Sequence, residues 1–364
     1  MTPDNPHAAI ELTVYKHDEH GKYARDKHGD KIILRQQVWD SWRHPRLFKQ
    51  VTVQLTTGMA SEAAFRVFDS TGKFVDSLLG IKEVLPFEMR CWMGFGQGLG
   101  EPVFKGMLAR IEKSETDITL RAYDMGYKMR QMEHAGYHKG DDLKILKKLA
   151  ERSELKFEGP DREFRIGHHR SYMQAGQTDW DLASERAREI GLVLYVRGDT
   201  LFAKEPAIVK RKPLIVLTYR KDALLLRPFD LSYKLPENKR GRPSVVEVRG
   251  RGHGGKSLVG KSRKHKRGTG NVFLQKDIAN HTQSYADRVA HAKKQLQREH
   301  SFSCTVRTIP QLPSVRADVG DTVELREFGS LFSGLYLCDK VTHDLVAAGF
   351  TTEYDLYADI EGEE

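Results

Sequence analysis

The sequence predicts a mainly β chain with an α+β insertion: two related β-barrels with a small α/β domain between them. Three observations carry this expectation. Apolar and polar residues alternate at both ends of the chain, the period becomes helical in the middle, and a pattern near residue 104 returns near residue 332. With 364 residues, 39% of them hydrophobic, there is apolar material for two or three cores.

The first third sets the β character. Ile10, Leu12 and Val14 fall on one side of "IELTVY", and Val51, Val53 and Leu55 on one side of "QVTVQLTT". Phe87, Met89, Cys91 and Met93 alternate in the same way, as do Ile118, Leu120 and Ala122. A period of two between Gly and Pro punctuation marks half-buried antiparallel strands. The charged run "KHDEHGKYARDKHGDK" between the first two strands is expected as an exposed hairpin or loop.

In the middle, Leu143, Leu146, Leu149 and Ala150 share one helical face, with Asp141 and Asp142 at its N-terminus. A second helix carries Trp180, Ala183, Ala187 and Ile190, with Thr178 as cap and Gly191 as terminator. "LVLYVRGDTLFAKE" then reads as two strands around a Gly198-Asp199 turn, which accounts for the Arg197-Gly198-Asp199 triplet better than adhesion does. Strands resume after Pro213, and Tyr285, Val289, Ala292 and Leu296 stripe one more helix. These boundaries give a first β domain over 1–135, an α/β domain over 136–212 and a second β domain over 213–364. The last carries a basic loop (238–275) and a helix (282–299).

The net charge of +9 is local. Between Lys239 and Arg267 stand eleven Lys or Arg and one acid, Glu247, so the rest of the chain is close to neutral. Lys256, Lys261, Arg263, Lys264, Lys266 and Arg267 are the candidate contacts to a polyanion or an acidic partner; a solvated strip is the other reading. Cys91, Cys304 and Cys338 stand singly in strand-like stretches and read as buried thiols. No apolar run reaches the length of a membrane helix, so no membrane insertion is expected, and the first residues lack a secretory pattern.

"GRGHGGKSLVGKS" (250–262) matches the phosphate-loop pattern twice. A working phosphate loop lies between a strand and a helix whose N-terminus holds the phosphates. Here Gly260, Gly268 and Gly270 with many cations follow, and no helical period does, so the motif reads as a decoy. Adjacent His168 and His169 lack a third ligand at metal spacing. The sequence shows no catalytic constellation; neither an enzyme, nor a cofactor, nor a metal is expected.

The repeat deserves its residues. Phe104 and Gly106 open a strand that returns through Tyr123 and Asp124; Phe332 and Gly334 open another that returns through Tyr354 and Asp355. Together with "TDWDLASERAREIG" and "FSGLYLCDKVTHDLVAAGFTT", this order resembles the phage late control gene D family, the baseplate hub proteins of contractile tails of the Mu and P2 type. It is also similar to the hub part of type VI secretion spike proteins. The resemblance spans about 45–358 and departs at 238–275 and 16–32. It implies tail-tube-like barrels and a homotrimer in the virion baseplate, made late, assembled in the host cytoplasm and acting in genome ejection. The implied partners are the tail tube protein, the central spike, the tape-measure protein, other baseplate proteins and DNA in transit. Two other readings stay open, a nucleic-acid-binding module using the basic loop and a phosphate-loop enzyme.

Overall fold

The computed structural model describes residues 6–19, 22–74, 87–95, 100–160, 171–205, 212–225, 231–233, 245–251, 256–262, 272–279, 282–298, 302–308, 317–346 and 349–358. The first β module is built from β1 (Pro6–Tyr15), β2 (Ile33–Asp40), β3 (Phe48–Thr56), β4 (Glu62–Phe68), β5 (Phe87–Phe95), β6 (Phe104–Lys113) and β7 (Asp117–Asp124). The alternation read from sequence decides which side of each strand is buried. Val51 and Val53 of β3, Phe65 of β4 and Leu120 of β7 are all at most 1% exposed, while their strand neighbours face outward.

The α/β unit follows, with α1 (Tyr127–Gln131), β8 (Glu133–Lys139), α2 (Asp142–Arg152), β9 (Lys156–Glu158), β10 (Ser171–Thr178), α3 (Asp179–Glu189), β11 (Val193–Arg197) and β12 (Thr200–Lys204). Both predicted helix starts are capped. Asp141 accepts the Lys144 N–H at 2.8 Å, and Thr178 accepts the Asp181 N–H at 3.1 Å. Gly191 leaves the second helix at φ 75°, a conformation that favours glycine.

The rest of the chain forms β13 (Ile215–Thr218), β14 (Ala223–Leu225), β15 (Leu231–Tyr233), β16 (Val245–Arg251), β17 (Ser257–Lys261), β18 (Val272–Ala279), α4 (Gln283–Arg298), β19 (Phe302–Thr308), β20 (Thr322–Arg326), β21 (Gly334–Val346) and β22 (Gly349–Ala358). The strand that "SVVEVRG" predicts is present as β16, while the rest of the basic segment differs from the expected loop. The segment contains β16, β17 and β18 in the order β17-β16-β18, with α4 packed on them. The apolar residues inside it supply the reason: Val246 and Val248 are fully buried against Tyr285 and Val289 of α4.

The duplication appears as topology. In the first module the strands lie in the order β3-β4-β7-β6-β5-β1. In the second they lie as β14/β15-β19-β22-β21-β20-β13, with the same order along the chain. One strand breaks the match: β13 runs parallel to β20, whereas β1 runs antiparallel to β5. Strands β16 to β18 and α4 are inserted where the first module has its β3–β4 connection. One core runs through both modules, and a second unites the α/β unit with the inserted strands and α4.

The charged 16–32 hairpin is also less exposed than its composition suggests. Tyr23 is 6% exposed: the rings of Tyr15 and His17 pack on it, and the ammonium groups of Lys31 (3.7 Å) and Lys128 (4.4 Å) lie over its ring.

Candidate assembly interface

Strand β21 does two jobs. Its first residues, Gly334 to Leu337, pair with β20 of its own module, and Lys340 to Val346 pair with β3 of the other module. A bulge at Asp339 separates the two halves, and this residue also ties the modules through Thr57, whose amide and hydroxyl both donate to it. Two barrels thus share one continuous sheet.

Strand β6 is built alike. Phe104 to Met107 pair with β5, and a bulge at Ala109 follows. Beyond it, Arg110 to Lys113 pair with β7 on one side and with no described strand on the other. Because Ser114 donates to the Asp117 carbonyl at 2.8 Å, alternation turns the backbone groups of Lys113 and Ile111 away from β7. The strand path ends at β2, which pairs with β1, and at β14; of the named strands, β14 and β15 each pair with β19 alone. The edge of β6 and the edge of β14/β15 are the counterparts, by duplication, of the joined pair β21 and β3.

The turn between β11 and β12 clasps both modules. Asp199 receives Lys105 of β6 at 2.5 Å, and Arg197 meets Asp318, just before β20, at 3.0 Å. The Arg-Gly-Asp triplet is thus a tight turn with internal partners. Lys105 also lies 3.4 Å from Glu88, a buried carboxylate reached by Arg90 at 2.9 Å and Lys31 at 3.6 Å. Burial pushes the Tyr15 hydroxyl beside Glu88 up to about 12, with the Glu88 charge adding to the effect.

On the face turned away from the core, β19 through β6 carry a ladder of ion pairs. Arg307 meets Glu353 at 3.3 Å and Lys340 meets Asp355 at 3.7 Å. Asp344 accepts from the Thr52 hydroxyl at 2.6 Å and the Gln50 amide at 2.9 Å. Arg121 bridges Glu62 (2.6 Å) and Glu112 (3.1 Å), and Arg66 meets Asp117 at 2.6 Å. Hydrogen bonds from Lys49 and Arg66 hold Asp117 below the usual carboxylate range, and the bond from Arg121 does the same for Glu112.

The predicted residues fall as follows. Phe104 is buried, and a Cβ on Gly106 would lie 2.1 Å from the Tyr123 carbonyl oxygen, so the strand approach there requires glycine. Asp124 is buried and accepts from the Ser61 amide at 2.6 Å, the Gly126 amide at 3.0 Å and Arg130 at 2.9 Å. Burial raises its carboxyl against the pull of these donors.

In the second module Phe332 is half-buried and Gly334 sits at φ 152° opposite Leu325. Tyr354 and Asp355 lie opposite Val341 and Lys340, not opposite the Gly334 region. The strand-for-strand repeat is therefore offset in register. Beyond the bulge, seven residues of β21 pair with seven of β22, against four of β6 with four of β7, so the second hairpin is longer in both of its strands.

Of the six basic candidates, Lys256 is exposed ahead of β17, and Lys261 is occupied by Glu247 at 3.4 Å. Arg263, Lys264, Lys266 and Arg267, like His168 and His169, lie outside the described residues. The phosphate-loop motif straddles the β16–β17 hairpin. Ser262, at its end, is buried, and its hydroxyl accepts the Val246 amide at 2.9 Å. Gly260 is needed elsewhere: a Cβ there would lie 2.0 Å from the Ala286 carbonyl of α4.

Sequence reasoning missed the β6 edge. Its signal was "ARIEKSE", a short strand with charges beside its apolar residues, the usual guard of an exposed edge.

Comparison with known proteins adds the following. A family model described as the Alg8 N-terminal domain matches residues 87–228, less than half of the chain. That stretch cuts through both β modules and so outlines no folded unit. No curated protein matches the chain.

Among solved structures, the tail protein from Neisseria meningitidis MC58 superposes with a TM-score of 0.61 at 15% identity, with 97% of each chain covered. The 43 kDa tail protein of prophage MuSo2 from Shewanella oneidensis gives 0.58 at 12% identity, over 95% of this chain and 97% of that one. An E. coli component of the type VI secretion system, described as structurally similar to T4 tail proteins, gives 0.51 at 10% identity, over 86% and 74%. The fold of this chain is that of phage tail proteins and of type VI secretion components related to them.

Proposed function

We propose that three copies of this chain form the hub of a contractile-tail baseplate, a ring that joins a hexameric tail tube to a three-fold spike. The observation that supports it most is the joint between β21 and β3 within one chain and the free edges at β6 and β14/β15. Of the two strand positions that make this joint, the chain leaves one of each open: the outer half of β6 and β14/β15. Those two edges differ, so copies add head to tail, and a head-to-tail contact closes into a ring when each step turns by the right angle. Three chains of two modules give six similar faces for the tube and three-fold symmetry for the spike.

In this reading residues 1–135 and 213–364 are the ring modules and 136–212 the outer α/β domain. The tail tube protein, the spike, the tape-measure protein and other baseplate proteins are its neighbours, and the virion tail is its place, after assembly in the host cytoplasm. Its work is structural. Native mass measurement with electron microscopy of the full chain tests this: a three-copy ring with a central passage is expected. A closed dimer, or a ring whose contacts leave β6 untouched, would overturn it.

A further inference from the structure

The ion-pair ladder has no good explanation in stability. Apart from the buried Asp117 its members are partly to largely exposed, Arg110 at 69% and Glu112 at 40% among them, and such surface pairs contribute about 0–1 kcal/mol each. The balance on this face is nevertheless close. Against the cations Arg307, Lys340, Lys49, Arg66, Arg121 and Arg110 stand six carboxylates, in a chain whose overall charge is +9. Each of these charges has a partner on the face itself. The face is also hollowed between Gln50, Thr52, Glu62, Arg66, Thr119 and Arg121, with a concavity of about 480 Å³.

We infer that this ion-paired face of the β19-to-β6 sheet is the passage wall of the ring, its carboxylates cancelling its cations so that DNA passes without being held. The inference rests on the ring reading above. A polyanion binds when free Lys and Arg let it release condensed counterions. A cation already paired with a carboxylate must give up that partner first, so the gain is lost. A groove built to retain nucleic acid would combine free cations with exposed aromatics. Among the described residues of this face Phe68 is the exposed aromatic, and Lys49 covers it at 5.3 Å.

The test compares two full-length variants of equal net charge. One is Glu62→Gln/Glu112→Gln/Asp344→Asn/Glu353→Gln, on the face; the other is Glu133→Gln/Glu151→Gln/Glu158→Gln/Glu185→Gln, on the α/β unit. Affinity for a 30-base-pair duplex is read by fluorescence anisotropy across a salt series. The face variant frees Arg121, Arg110 and Arg307 and should bind more tightly, with a log-log salt slope steeper by about three. The milder Asp344→Asn/Glu353→Gln variant frees Arg307 and should show about one third of that change, which guards against misfolding of the fourfold one. Equal gains on and off the face, or no gain in either face variant, would overturn the inference.

Placement is read separately on a Thr119→Cys variant, whose three native cysteines are all buried. A small maleimide should label it and a 20-kDa polymer maleimide should not; equal labelling would overturn the wall. Native mass of the same samples reports ring formation, so failure of the ring and failure of the wall are told apart.

Discussion

Replacing Lys113 by proline tests the joint between copies while sparing the fold. The Lys113 amide points away from β7, toward the open edge of β6, so the substitution breaks no ladder bond inside the chain. In a ring, the same change removes one donor from each interface and leaves an acceptor on the neighbour without its partner. The lost bond costs about 0.5–1.5 kcal/mol and an unsatisfied acceptor about 1–3 kcal/mol. A weakening of roughly 1–3 kcal/mol corresponds to about a 5- to 150-fold loss of affinity at every joint.

The control is Glu112→Pro, whose amide faces β7 and bonds within the chain. It should lower the melting temperature by a few degrees, at roughly 1–2 °C per kcal/mol for a chain of 364 residues. Sedimentation velocity and thermal melting are measured on both. Lys113→Pro should melt like the parent and populate monomer at concentrations where the parent forms its ring. Assembly equal to the parent's, or melting as low as that of Glu112→Pro, would refute the edge geometry.

Three more outcomes follow from the packing. Gly260→Ala should destabilise the inserted unit by about 1–3 kcal/mol or more, because its Cβ meets the backbone of α4 at 2.0 Å, and an unchanged denaturation midpoint would contradict that contact. Lys105→Met should cost about 1.5 kcal/mol, the low end for a hydrogen bond to a charged group since Asp199 is 40% exposed; a double-mutant cycle with Asp199→Asn should show coupling between them. Burial lowers His7, whose ring lies tilted against Trp42 at 4.1 Å, below its ordinary 6.5, with Asp40 pulling the other way. The fold therefore favours the neutral ring; His7 subtracts nothing above pH 6.5, and stability falls as the pH drops from there through the folded value. Melting followed from pH 7.5 to 5 should show this decline reduced in His7→Phe, and an identical decline in both proteins would exclude His7 as its source.

Much of this protein is legible in its residues, for local reasons. Alternation fixes which side of β3, β4 and β7 is buried, because a strand has a period of two whatever it packs against. Thr178, Asp141 and Gly191 announce helix ends, because capping is chemistry within a few residues. Beyond "SVVEVRG" the basic segment reads as a loop because its cations dominate composition, while Gly260 acquires meaning only beside α4, more than twenty residues on. Register was hidden for the same kind of reason. Tyr354 and Asp355 look like Tyr123 and Asp124 in sequence, yet the bulge at Asp339 and the longer β21 decide what they face.

The sequence by itself determined the β character, the duplication and the intervening α/β unit, since each is written as a local period or a repeated order. Tertiary structure alone decided that β21 leaves its own module to join β3, that β6 keeps a free edge, and that scattered charges line up as one neutral face. Those are contacts between strands up to about three hundred residues apart. No local period encodes them, because the energy that selects them belongs to the packed sheet rather than to any single strand.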